Sequence, residues 1–168
     1  MKGEKGVKSV TGTEFVTGGA ELLPRIRPLW QALNRYHGES STHFTEEFAG
    51  FNFSFRERRL VEKACRGEVR VELVAELGAG GYAAYCVSSV SRDGTGEIDS
   101  LFVDEPFRGR GLGSELMRRA IEWMDAAGAT SRTVVVAEGN ERAHGFYRKF
   151  GFLPFSVTLA RKNEPGRR

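Results

Sequence analysis

From Ile98 to Met117 the chain reads IDSLFVDEPFRGRGLGSELM, and its period changes on the way. Up to Val103 the residues are β-formers in a strand pattern. From Leu112 onward, Leu112, Leu116, Ala120 and Met124 recur at i+4, with Met117, Ile121 and Ala127 beside them, and Gly128 stops the run. Beyond it, SRTVVVAEG (131–139) reads as a strand, NERAHGFYRKFG (140–151) as a helix and FLPFSVTLARK (152–162) as a last strand. Strand, helix and strand in succession demand a right-handed crossover with parallel pairing.

The turn between the first strand and its helix holds glycine at 109, 111 and 113. A helix N-terminus carries unpaired N–H groups and a partial positive charge. Glycines in front of it let successive N–H groups converge on one point, and let a ligand approach without meeting a Cβ. That is an anion site, and phosphate is its usual occupant. Arg108 and Arg110 add positive charge at the rim. Two familiar phosphate frames do not fit: no lysine follows Gly113, and the spacing is G-x-G-x-G instead of G-x-G-x-x-G.

The first half predicts two helices and three strands. KSVTGTEFV (8–16) holds a first strand. Leu22, Ile26, Leu29, Trp30 and Leu33 have helical spacing, and Pro24 and Pro28 must lie in or before the first turn, so the helix runs from Pro28 to His37 with Gly38 as its stop. ESSTHFTEEFAGFNF is a loop or short helix. SFRERRLVEKACRG is a helix capped by Ser54 and stopped by Gly67. EVRVELVAEL, GYAAYCVSSV and GEIDSLFV form an antiparallel meander. The architecture is α/β: a mixed sheet, antiparallel early and parallel in the middle, with helices on both faces.

The 168 residues suit one domain, with 1–7 and 163–168 as flexible ends. No apolar run approaches the roughly 20 residues that span a bilayer, and the N-terminus lacks the apolar region of a secretory signal. The chain therefore reads as cytoplasmic, with Cys65 and Cys86 as reduced thiols. A net charge of +3, partly from the tail RKNEPGRR, is mild. Without a basic face on a recognised module, no nucleic-acid partner is expected. His37 and His43 with Glu39, Glu46 and Glu47 have no metal-ligand spacing, so no metal is expected.

Ile98–Met117 followed by Val134–Phe152 resembles the GNAT superfamily of acyl-CoA-dependent N-acyltransferases. Its Arg/Gln-x-x-Gly-x-Gly/Ala signature is met by Arg108, Gly111 and Gly113, and its Asn-x-x-Ala-x-x-Phe-Tyr by Asn140, Ala143, Phe146 and Tyr147. The resemblance covers about the last seventy residues. It implies a GNAT fold and acetyl-CoA as co-substrate. Backbone N–H groups from Gly109 through Arg110, Gly111, Leu112 and Gly113 to Ser114 would hold the pyrophosphate. The strand ending at Val103 and the one at 133–137 would splay, and the pantetheine arm would pair with the edge Leu101–Phe102–Val103. Asn140 and Ala143 would flank the arm.

Attack on a thioester needs a neutral amine, and an alkylamine with a pKa near ~10 is protonated at pH 7, so a general base is useful. Alternation puts Glu97, Asp99, Leu101 and Val103 on one face. Asp99 matches the position of a base in many relatives, one methylene shorter, so a bridging water is expected; Glu97 competes. A backbone N–H of the edge could stabilise the oxyanion. Tyr147 matches the family's general acid. Tyr36 and His37 are substrate-side candidates, and the phenylalanines of HFTEEFAGFNFSF either floor an acceptor pocket or fill the core. The resemblance implies an N-acetyltransferase acting on a small cationic amine or a peptide amine through a ternary complex; an acyl-CoA-binding sensor on the same fold is the alternative. Many relatives carry two strands after the FYRKFGF helix, and only Leu153–Lys162 stand here before the tail. That leaves the acceptor side open, or completed by a second subunit in a homodimer.

Overall fold

The period change at Val103 builds what it predicts. In the computed structural model, which describes residues 12–78 and 80–162, strand β4 (Thr95–Val103) passes through a 3-10 turn (Glu105–Phe107) and the glycine loop into helix α4 (Leu112–Ala126). Before it come β1 (Thr13–Gly18), a 3-10 segment (Ala20–Ile26), α1 (Arg27–Ser40), α2 (Thr45–Ala49), α3 (Phe53–Arg66), β2 (Gly67–Glu76) and β3 (Tyr82–Ser91). After it come β5 (Ser131–Val134) and α5 (Arg142–Arg148). The sheet order is β1-β2-β3-β4-β5; the first four strands are antiparallel and β5 joins β4 in parallel. The ends expected at 1–7 and 163–168 lie outside the described residues, as does the start of the strand expected at 8–16.

Alternation along β3 divides two cores. Tyr85 and Val87 face Leu23, Ile26, Trp30 and Leu60 of the 3-10 segment, α1 and α3. Ala84 and Cys86 face Leu112, Leu116, Met117 and Met124 of α4. Tyr85, Leu116 and Met117 are all fully buried, each side chain contributing on the order of 1.5–3 kcal/mol by leaving water. No helix among the described residues is long and apolar enough to cross a membrane. Both cysteines are free, Cys65 exposed and Cys86 buried.

Several boundaries differ from the sequence expectation. Pro28 sits in the first turn of α1 as required, but the helix passes through Gly38 to Ser40. There Ser41 turns to extended backbone, and its hydroxyl donates to Glu138 at 2.5 Å. A tertiary contact, not glycine, ends this helix. Asn52 caps α3 by accepting from the Ser54 N–H at 2.7 Å, so Ser54 lies inside the first turn. The strand expected over 131–139 stops at Val134 because its pairing with β4 stops there. The strand expected over 152–162 does not form, since no strand among the described residues pairs with it.

The largest correction falls in β4. The β3–β4 register runs Val87↔Ser100 and then Ser88↔Ile98, leaving Asp99 as a bulge without an opposite number. One extra residue reverses the alternation. Glu97 and Asp99 face α3, whereas Leu101 and Val103 pack with the α4 core, so the four do not share a face.

Candidate active site

Gly109 and Gly111 have φ of +77° and +81°, in the left-handed region, and a Cβ at either would meet nothing within 4 Å. Gly111 is the N-cap of α4, and the helical ladder begins with Glu115 N–H donating to its carbonyl. The N–H groups of Leu112, Gly113 and Ser114 thus precede the ladder and point out of the helix end. Gly113 also packs: a Cβ there would touch Val103 and Phe146 at 3.5 and 3.6 Å. Neither arginine turns to the loop's mouth. Arg108 Nε donates to the Val103 carbonyl at 3.0 Å, its guanidinium over the rings of Phe102 and Tyr36. Arg110 donates to the Pro106 carbonyl and lies over Phe107. The loop is a backbone cradle with open space in front of Gly109 and Gly111.

The cradle leads to an open strand edge. Parallel pairing between β4 and β5 ends at Ile98↔Val134, so the strands part beyond it. Asp104 N–H donates to the Ala83 carbonyl, which makes Ala84↔Val103 a non-hydrogen-bonded pair and turns the polar groups of Val103 away from β3. By the two-residue period, those of Leu101 point the same way, and those of Phe102 point to β3. Arg108 holds the Val103 carbonyl, and Arg56 Nη2 donates to the Asp99 carbonyl at 2.6 Å. The N–H and C=O of Leu101 lie between these two arginine-tied carbonyls.

On the α3 side of the bulge, the Asp99 side chain is closed to solvent. Lys63 Nζ donates to it at 2.5 Å, Ser89 Oγ at 2.6 Å, and the same ammonium donates to Glu97 at 2.6 Å. Burial raises the Asp99 pKa above the ordinary carboxylate range, while the Lys63 cation and the hydrogen bonds from Lys63 and Ser89 pull against it. Glu97 and Lys63 are each one-third exposed. Sequence reading misses Lys63 and Arg56, which sit in RERRLVEKACR like any charged helix face; only the packing of α3 on the sheet shows what they hold.

Beyond the splay, Tyr147 on α5 is half-buried, its ring edge-on to Phe146 and Phe152 at 5.2 and 6.2 Å. Burial pushes its pKa up to about 12, so it keeps its proton at neutral pH. Among the described residues its hydroxyl has no hydrogen-bond partner. Asn140 Oδ1 accepts from the Tyr36 hydroxyl at 3.4 Å, and Ala143 N–H donates to the Asn140 carbonyl as the chain enters α5. Tyr36 thereby joins Asn140 to Arg108. His37 packs on Phe48, with its pKa lowered by burial. Glu138 accepts from Ser41 and from the Thr42 N–H, and Gly139 (φ +84°) comes so near Ser40 that a Cβ would lie 2.1 Å from its carbonyl. The end of α1 is thus clasped against the β5–α5 loop, a contact the sequence does not announce.

The phenylalanines after α1 divide between core and surface. Phe53 is core against Trp30, whereas Phe51 is exposed and borders a groove of about 660 Å³ with Trp30, Arg35 and Gly38. At ~100° per residue, the groove-lining Gln31, Asn34, Arg35 and Gly38 lie on the opposite side of α1 from Tyr36. This groove is separate from the clasp.

Comparison with known proteins agrees with this geometry. Glucosamine 6-phosphate N-acetyltransferase 1 of Oryza sativa subsp. japonica is 30% identical over 172 residues, covering 93% of this chain and 97% of that protein. The chain spans under a third of several other curated relatives: mycothiol acetyltransferase of Beutenbergia cavernae is 38% identical over 85 residues, 51% of this chain and 29% of that one. A GCN5-related N-acetyltransferase from Ralstonia eutropha superposes with a TM-score of 0.70 at 20% identity, covering 90% of this chain and 99% of that one. AAC(6')-Iy in complex with the bisubstrate analogue CoA-S-monomethyl-acetylneamine gives 0.60 at 14% identity, over 90% and 98%. The model of the acetyltransferase (GNAT) family matches residues 29–152. A chain matched by that family over most of its length, with a glycine cradle at a helix N-terminus beside a splayed strand edge, belongs to the GNAT acetyltransferase family.

Proposed function

We propose that the protein transfers an acetyl group from acetyl-CoA to a primary amine by direct attack, with both substrates bound together. One observation carries the reading: the cradle at 109–114 opens beside the unpaired Leu101 edge, with a carboxylate on one flank and a neutral phenol on the other. Backbone N–H groups of the cradle hold the pyrophosphate, and Leu101 pairs with the pantetheine arm, flanked by Asn140 and Ala143. The bisubstrate analogue bound to a protein of this fold supports simultaneous occupancy.

Asp99 is the base in this reading. Burial raises its pKa and so makes it a stronger base, and its contact with Lys63 at 2.5 Å supports a preference for ammonium groups beside it. Lys63, one-third exposed, is the member with room to swing aside for the acceptor or a bridging water. Tyr147 protonates the leaving thiolate. Tyr36, His37 and Glu97 are candidates for acceptor contact at the clasp and along the strand. The test is an amine panel with acetyl-CoA, read by released thiol. Glucosamine 6-phosphate heads the panel because the rice relative is named for it; polyamines and peptides with free N-termini or lysines follow. Turnover of at least one amine is expected. Acetyl-CoA binding without turnover of any would assign a sensor instead.

A further inference from the structure

An amine of the chain itself already lies against the carboxylate assigned as the base. Lys63 Nζ is 2.5 Å from Asp99 Oδ1 and 2.6 Å from Glu97 Oε2. The Asp99 carboxylate is closed to solvent, with Lys63 on one oxygen and Ser89 on the other. Lys63 stands two turns of α3 after Arg56, on the same helix face, and Arg56 holds the Asp99 carbonyl beside the open Leu101 edge. The lysine stem is not locked in the core. It is one-third exposed and borders a pocket of about 300 Å³ that it shares with Arg59, Arg66 and Glu97. Lys149 and Lys162 differ: both are exposed, and neither pairs with a carboxylate among the described residues.

We propose that Lys63 is a self-acetylation site: without an acceptor in the cleft, the chain transfers the acetyl group of its own bound acetyl-CoA to Lys63 Nζ. The inference rests on the acetyl-transfer reading and adds to it an acceptor within the chain. A lysine is a primary alkylamine, the acceptor class of that reaction. An acceptor must first give up a proton and then reach the thioester carbon in line. Lys63 meets the first condition where it stands, and its flexible four-carbon stem serves the second. Asp99 takes one proton from the ammonium. The freed lone pair forms the N–C bond to the thioester carbon, the C–S bond breaks, and its electron pair leaves on sulfur, which Tyr147 protonates. The nitrogen loses its second proton to water as the amide forms, and water returns a proton to Tyr147. The sum is one acetamide, one thiol and one proton from an ammonium and a thioester. The product is neutral, so Glu97 and Asp99 lose the cation they share.

The experiment incubates the folded chain with saturating acetyl-CoA and no amine at pH 7, and follows each lysine by peptide mass spectrometry. Lys149 and Lys162 report direct chemical acetylation in the same tube. Lys63 is expected to gain an acetyl group on the order of 10²-fold faster than either, with a half-time unchanged on dilution of the protein. Asp99→Asn should bring Lys63 down to the rate of Lys149 and Lys162 without changing theirs. Lys63→Arg keeps a cation beside the carboxylates and should remove the fast phase from the intact mass. Acetylation of Lys63 no faster than of Lys149 and Lys162, a rate that falls on dilution, an unchanged rate in folded Asp99→Asn, or a fast phase that survives Lys63→Arg would each overturn the proposal. Turnover of a panel amine by a chain whose Lys63 stays unmodified would overturn it and leave the acetyl-transfer reading standing. No thiol from any amine and no label at Lys63 would overturn both.

Discussion

Glu72 and Asp99 are two buried carboxylates on one sheet, and they do different things. Glu72 faces α4 from the middle of β2. It is gripped by Arg70 at 2.7 Å and by Arg119 of α4 at 2.5 Å, with Arg119 in turn reaching Thr17. The strand around it is paired on both sides. Asp99 faces α3 from a bulge. Its charge is met by Lys63, shared with Glu97, and more distantly by Arg56 at 3.9 Å, and the strand beyond it has no neighbour on the β5 side among the described residues. A buried carboxylate fixed by two guanidinium groups in continuous sheet is a tie between layers. One held closely by a part-exposed ammonium and a serine hydroxyl, with its one guanidinium at 3.9 Å, next to an open backbone edge, is the base in the proposed function. Burial is common to both; the difference lies in the backbone and in what could leave.

Removing the Glu72 carboxylate tests the first half of that contrast and has the largest effect. Glu72→Ala strands two arginines and is expected to cost about 3–5 kcal/mol of stability in urea unfolding, with kcat unchanged in the surviving folded protein. A kcat loss larger than the folded fraction explains would erase the distinction. Asp99→Asn tests the second half. It is expected to lower kcat/KM on the order of 10²-fold, about 2.7 kcal/mol, most at low pH where few amines are neutral, with partial rescue as pH rises. If Glu97→Gln loses the low-pH activity and Asp99→Asn keeps the wild-type profile, the base is Glu97.

Tyr147→Phe keeps the ring packing with Phe146 and Phe152 and removes only the proton donor. A kcat loss of up to about 10²-fold with unchanged acetyl-CoA affinity is expected; an equal loss in affinity would make Tyr147 a binding residue. Gly111→Val leaves both carboxylates alone and forces a branched residue into φ +81° at the cradle. Calorimetry is expected to show about tenfold weaker acetyl-CoA binding, about 1.4 kcal/mol; unchanged affinity in a folded variant would remove the cradle from the cofactor site. The smallest and sharpest effect is a pH shift. Lys63 lowers the Asp99 pKa against the burial that raises it. Lys63→Met therefore raises it further, and the acid limb of kcat/KM moves to higher pH. In an Asp99→Asn background that shift should vanish.

The glycine cradle, the α4 helix and the Asn140–Tyr147 unit were legible in sequence because each is local. Positive φ selects glycine at 109 and 111, and a four-residue apolar repeat needs no distant partner to announce a helix. The bulge at Asp99 was not legible. IDSLFV alternates acceptably in either register, and the shift shows only when β3 is laid alongside. Lys63 and Arg56 were hidden for a related reason, since a helix face full of charge reads the same whether it meets water or a strand carboxylate. The end of α1 went wrong because Gly38 looks like a stop, while Ser41 and Glu138, far apart in the chain, make the real one.

By itself the sequence determined the order of strands and long helices as far as α5, the parallel crossover and the glycine turn before α4, all of which follow from backbone conformation and short-range periodicity. Tertiary structure alone decided which face of β4 carries the carboxylates, which cations hold them, where β5 stops, and that 153–159 pairs with no strand among the described residues. These are matters of register and neighbour. A strand's side chains reverse faces with a slip of one residue, and a strand exists only where another lies beside it.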